Sequence, residues 1–202
     1  MIKVHHLNQS RSQRVIWLLE ELAMPYELVL HQRDNQTRLA PQSLKKIHPL
    51  GKAPVMTDGD VVICESGAIM EYLLNLDEHP SMRPALNDPQ YYHYLEWLHF
   101  AEGSLSLPVL TTLFMQMEKR QGDAPMDGYI AKEIAVDFDY IESWLSQHQY
   151  FAGDQFSAAD IMMTFTLEIA ANLGLITTRP AISHYLDKVQ QRAAYIKAAS
   201  HG

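Results

Sequence analysis

Apolar positions near the start of the chain change period several times. Ile2, Val4 and His6 alternate as a short strand, after which Val15, Leu18, Leu19 and Leu22 recur at helical spacing and form one apolar face. Pro25 ends that helix, because a proline lacks the N–H that a further turn requires. Tyr26, Leu28 and Leu30 then alternate as a second strand. Residues 32–48 are polar and irregular, with room for a short helix around Ser43 to Ile47. Ala53–Thr57 and Val61–Cys64 predict two strands around Asp58-Gly59-Asp60, a hairpin signal. Ile69, Tyr72, Leu73 and Leu76 place a further helix on the sheet. The order is βαβ, a loosely helical link, then ββα.

From about Pro89 the period becomes helical and stays so. Tyr91, Tyr94, Leu95, Leu98, Ala101 and Leu105 form one long stripe, with a bend expected near Pro108. Ile130, Ile134, Phe138, Ile141 and Leu145 form a second stripe. Ile161, Phe165 and Ile169 form a third, and Ile182, Leu186 and Val189 begin a fourth. Residues 1–78 therefore predict a small α+β domain and residues 88–202 an all-helical one, with the proline-rich 79–87 as linker. The third stripe opens on "FSAAD", where Ser157 is a candidate N-cap answered by Asp160. Phe156 and Ile161 are placed to close a hydrophobic staple across it, a device for folding and stability.

Composition narrows the function. A chain of 202 residues can bury a real core, and its formal charge of −8 argues against a nucleic-acid partner, which needs clustered Lys and Arg. The single cysteine, Cys64, has no internal disulfide partner, which points to a reducing compartment. The start MIKVHHLNQ has no apolar signal region, and Ile161–Ile176 is too short and mixed to span a bilayer. A cytoplasmic protein without a membrane partner is expected. There is no CxxC, GxSxG, Walker loop, GxGxxG or HExxH. His5-His6, His93 and His99 lack metal-ligand spacing, so no metal is expected.

Three polar segments remain. In "LNQSRSQR", Ser10 falls at the first strand-to-helix turn, where a hydroxyl can donate to an anion or simply cap the helix. Arg11 and Arg14 read as solvated or paired with acids such as Glu20 and Glu21. In "HPLGKAPVM", Pro54 stands at the mouth of a strand. A cis Ala53-Pro54 bond would turn the Ala53 backbone outward toward an extended peptide-like ligand, whereas a trans proline would merely open the strand. In "CESGAI", Ser66 at a helix start suits a carboxylate and Glu65 suits an ammonium, although plain capping uses the same residues.

In this order and at these spacings, the three segments resemble cytosolic glutathione S-transferases. The likeness rests on Ser10 to Arg14, "GKAP" at 51–54, Glu65-Ser66, the Ser157–Asp160 box and the helical half that follows. It implies a thioredoxin-like N-terminal domain and an all-helical C-terminal one. The turn looks like the serine-type branch, as in theta and zeta classes. By this resemblance Ser10 would hydrogen-bond the glutathione sulfur and Ala53 would pair its backbone with the cysteinyl part. Glu65 and Ser66 would hold the γ-glutamyl amine and carboxylate, and Lys52 would reach the glycyl carboxylate. Glutathione would be the co-substrate and a small electrophile the acceptor, in a homodimer. A non-catalytic scaffold, or a glutathione-dependent isomerase, peroxidase or disulfide reductase, would use the same framework. His48-Pro49 and Ala53-Pro54 stand where many relatives have Asn-Pro and Val-Pro.

Overall fold

The computed structural model describes residues 1–77 and 82–202. It divides into two compact units, Met1–Met82 with Gln190–Gly202, and Arg83–Val189. The proposed boundary at 78 and the first part of the 79–87 linker lie outside the described residues. Residues 190–202, last in the chain, fold with the first unit rather than with the helices that precede them.

In the first unit, β1 (Lys3–Leu7), α1 (Ser12–Glu21) and β2 (Glu27–His31) form a βαβ crossover, with β1 and β2 parallel. A parallel pair needs such a crossover, because a tight turn can only join antiparallel strands. The short helix expected around Ser43 to Ile47 is a 3₁₀ helix at Gln42–Lys46. β3 (Val55–Asp58) and β4 (Val61–Cys64) form the hairpin, with Gly59 at φ +57° in its turn. That left-handed backbone suits a residue without Cβ. The sheet order is β2-β1-β3-β4, β3 running antiparallel to both β1 and β4.

α1 and α2 (Ser66–Leu76) pack on the sheet and on each other. Val4, Val15, Leu18, Leu19, Met56, Ile69 and Leu73 are fully buried. The periodicity does not separate α8 (Ala193–Ala199) from the stripe before it, yet α8 packs along α1. There the Tyr195 ring meets the edge of Trp17 at 4.9 Å, and Arg192 grips Glu21 through two bonds of 2.6 and 2.7 Å.

In the second unit, the single stripe expected from Tyr91 onward is interrupted. α3 (Tyr91–Phe100) passes through a π-helical turn at Ala101–Leu105 into α4 (Ser106–Met117). Pro108 cannot donate to the carbonyl four residues back, and a wider turn just before it accommodates that loss. α5 (Pro125–Leu145), α6 (Ala158–Asn172) and α7 (Pro180–Val189) complete the unit. α6 is buried nearly all round, through Ile161, Met162, Met163, Thr164, Thr166, Leu167 and Ala170. A one-sided stripe understates a helix that sits among α3, α4 and α7.

Candidate functional site

Strand directions bring the three polar segments together. β1 ends at Leu7 and runs into the Ser10 turn, while β3 begins at Val55, opposite His5. Cys64 at the end of β4 pairs with that same Val55. Ala53-Pro54, Glu65-Ser66 and the Ser10 turn therefore gather at one end of the sheet.

The Ala53-Pro54 bond is cis, and Pro54 is buried beside the half-buried Ala53. Glu65 occupies the residue before α2 with φ +72°, and Ser66 is the first helical residue, one place later than a capping serine would stand. Ser66 is buried and Glu65 exposed. The Ser66 hydroxyl accepts a hydrogen bond of 3.2 Å from Arg14 Nη1. Arg14 is thus not on the surface with Glu20 and Glu21, as its charge suggests, but buried at 1% exposure. The two glutamates have other partners: Glu20 takes Lys197 and Tyr26, and Glu21 takes Arg192 and Trp17. Lys52 is exposed near the same sheet end.

Ser10 lies two residues before α1, and its side chain is buried. Its Oγ is 2.7 Å from Ser12 Oγ and accepts from the Ser12 N–H at 3.3 Å. Ser12 is fully buried; its Oγ accepts from the Leu7 N–H at 3.2 Å and lies 2.9 Å from His6 Nδ1. The far nitrogen of the ring, His6 Nε2, is 3.0 Å from the His201 carbonyl. Burial lowers the His6 pKa below the usual imidazole range.

The turn is also held from outside. Arg33, just past β2, donates from Nε to the Asn8 carbonyl and from Nη2 to the Gln9 carbonyl, both at 3.1 Å. Its backbone N–H reaches Asn8 Oδ1 at 3.1 Å. Neither Arg33 nor His6 stands out in the sequence as a site residue, because their partners lie far away along the chain. An alternating strand that carries a histidine at a core position was the available signal for His6.

Known proteins share the two-unit architecture. Residues 4–81 match the glutathione S-transferase N-terminal domain and residues 105–193 its C-terminal domain. Glutathione S-transferase 3 of Schizosaccharomyces pombe is 36% identical over 96% of this chain and 85% of its own length. The chain belongs to the glutathione S-transferase family. Glutathione S-transferase 1 of Saccharomyces cerevisiae is 31% identical over 96% of this chain and 92% of its own length. The crystal structure of a glutathione S-transferase from Actinobacillus pleuropneumoniae superposes with a TM-score of 0.90. It is 34% identical, and the match covers 99% of this chain and 92% of that one. The thioredoxin-like unit and the helical unit are those of the family. Among the described residues no helix is long and apolar enough to cross a membrane.

Proposed function

We propose that this chain is a serine-type glutathione transferase, cytoplasmic and homodimeric, that adds the glutathione thiolate to small electrophiles. The observation that carries the reading is the convergence of Ser10, cis Ala53-Pro54 and Glu65-Ser66 at one sheet end. Together they match a tripeptide: a sulfur beside a hydroxyl, a backbone edge for the cysteinyl amide, and a carboxylate and an amine at Ser66 and Glu65. Lys52 serves the glycyl carboxylate. The names of the relatives, all glutathione S-transferases, support the same reaction.

The chemistry required of the protein is small. A free thiol with a pKa of ~8.5 is only about 3% ionised at pH 7. A hydrogen bond from Ser10 to the sulfur, with the start of α1 close by, favours the charged form. A shift of about two units corresponds to roughly 2.7 kcal/mol and makes the thiolate the majority species. Ser10 then acts as the donor in an oxyanion hole does, stabilising charge on a nucleophile that the co-substrate supplies.

The test is Ser10→Ala. It is expected to keep glutathione binding and to lower the conjugation rate about ten- to a hundredfold, ~1.4–2.7 kcal/mol. Failure of the wild-type protein to bind glutathione–agarose would remove the reading altogether.

A further inference from the structure

The hydrogen-bond chain behind Ser10 has a direction, and atom-by-atom accounting determines it. The His201 carbonyl can only accept, so His6 Nε2 carries a proton. In the neutral ring Nδ1 is then bare and must accept. The group facing it is the Ser12 hydroxyl at 2.9 Å; the same hydroxyl lies 3.4 Å from the Leu7 carbonyl, and the shorter contact takes its one proton, which points at His6. The 2.7 Å contact between the two serines is left with a single arrangement, in which Ser10 donates and Ser12 accepts. Ser12 Oγ is then saturated: it accepts from Ser10 and from the Leu7 N–H and donates to His6. Ser10 Oγ has given its proton inward and accepts the Ser12 N–H. What remains to face a ligand is a lone pair.

A lone pair suits a thiol, which donates S–H. It does not suit a thiolate, which needs a donor. The same three groups satisfy a thiolate once every bond is reversed. With a proton on Nδ1, His6 donates to Ser12, Ser12 donates to Ser10, and the Ser10 hydroxyl faces the sulfur. Each serine still accepts and donates the same number of bonds, so nothing buried loses a partner in either state.

We infer that Ser12 and His6 are positioning residues that set the polarity of Ser10, and that the proton leaving the glutathione sulfur passes along Ser10 and Ser12 to His6 Nδ1. In this step the S–H bond breaks and an N–H bond forms. Each serine gives up one proton and gains one. The products are a thiolate and an imidazolium at opposite ends of the chain, with no net change of charge. The inference rests on the glutathione-transferase reading, since it needs a thiol at Ser10.

The surroundings of His6 in the free protein disfavour its charged form. Burial opposes charge on His6, the His201 carbonyl that accepts from Nε2 favours it, and His201 after α8 and His31 of β2 oppose it when they are themselves protonated. Ser12 of α1 contributes a neutral hydroxyl. The opposing charge that favours the imidazolium is therefore the bound thiolate, which ties proton uptake by His6 to occupation of the site.

The experiment follows the ring nitrogens of His6 by ¹⁵N–¹H NMR in the wild-type protein, free, with saturating glutathione, and with S-methylglutathione. The free protein and the S-methyl complex are expected to show a neutral ring protonated on Nε2. The glutathione complex is expected to show both nitrogens protonated wherever thiolate absorbance is present. A neutral His6 beside an absorbing thiolate would overturn the relay. Two variants give a second readout. Ser12→Ala and His6→Leu should raise the apparent pKa of the bound thiol by about one unit, a tenfold loss of thiolate at fixed pH. Affinity for S-methylglutathione should stay unchanged, and Ser12→Thr, which keeps the hydroxyl, should restore the thiol pKa. If Ser10→Ala shifts the thiol pKa while Ser12→Ala and His6→Leu do not, the relay is wrong and the transferase reading stands. If wild-type protein binds glutathione without ionising it, both fall.

Discussion

Arg14 of α1 reaches the Ser66 hydroxyl at the start of α2, Nη1 to Oγ 3.2 Å, and both side chains are buried. The contact joins two of the three polar segments through the interior of the first unit. A guanidinium held there adds positive charge behind Ser66, where the proposed site takes the γ-glutamyl carboxylate. Arg14→Met is expected to weaken glutathione binding by about 1.5–3 kcal/mol, the range for hydrogen bonds that involve a charged group. Isothermal titration with glutathione measures it. Unchanged affinity in a folded variant would confine Arg14 to a structural role.

Arg33 makes a second prediction. Its fork spans the Asn8 and Gln9 carbonyls, and Gln9 has a left-handed backbone at φ +51°. Arg33→Ala is expected to loosen the turn, seen as faster amide exchange at Ser10 and Ser12. The accompanying fall in kcat/KM is expected to be about tenfold, ~1.4 kcal/mol. Arg33→Lys should not rescue it, because an ammonium is a single point and cannot bridge two carbonyls as a planar fork does. Equal amide exchange in wild type and Arg33→Ala would show that the turn holds itself.

His5 and His31 supply a pH dependence. Nδ1 of His5 and Nε2 of His31 are 3.1 Å apart, so one nitrogen must donate and the other must be bare. Burial lowers both pKa values, and for His5 the charge on His31 lowers it further, followed by Lys3. A depressed folded-state pKa means that the unfolded chain binds protons first. The stability from this pair is therefore complete above about 6.5, the unfolded imidazole value, and is lost as pH falls through the folded value. Melting temperatures are expected to drop between pH 7 and pH 5, and His31→Gln should flatten that slope. A slope identical in the two proteins would assign the acid sensitivity to other groups.

Asp160 carries the largest stability prediction. One oxygen accepts from the Phe151 N–H at 3.0 Å and the Tyr185 hydroxyl at 3.1 Å; the other accepts from Ser157 N–H and Oγ at 2.8 and 3.0 Å. Asp160→Ala leaves all of these donors buried and is expected to cost about 3–5 kcal/mol in urea unfolding. Burial pushes the Asp160 pKa up to about 6 despite those bonds. A raised folded value means that the folded state binds the proton first. The group's contribution is therefore greatest below the unfolded carboxyl range and declines as pH rises through 6. The penalty of Asp160→Asn should be larger at pH 5 than at pH 7. A penalty no greater than that of an exposed substitution would contradict the capping role.

Local chemistry decided a good deal of this molecule in advance. Alternation at Val4 and at Leu28, helical spacing at Val15–Leu22 and the Asp58-Gly59 turn name their elements, because each depends on neighbours within a few residues. Ser10, Ala53-Pro54 and Glu65-Ser66 were legible for the same reason: a turn, a proline and a helix start leave local marks. The Ser157–Asp160 box is written in adjacent letters.

Tertiary structure alone decided the partners. Arg14 looks like a surface cation until α2 is placed beside α1. His6 looks like an ordinary core residue until the His201 carbonyl, near the other end of the chain, covers Nε2 and leaves Nδ1 to Ser12. α8 was lost in the pattern because its reason for existing is the Trp17 and Glu21 side of α1. Periodicity reports which face of an element is buried and says nothing about what buries it. Hydrogen bonds between residues far apart in sequence, and the proton positions they dictate, come into being only when the chain has closed on itself.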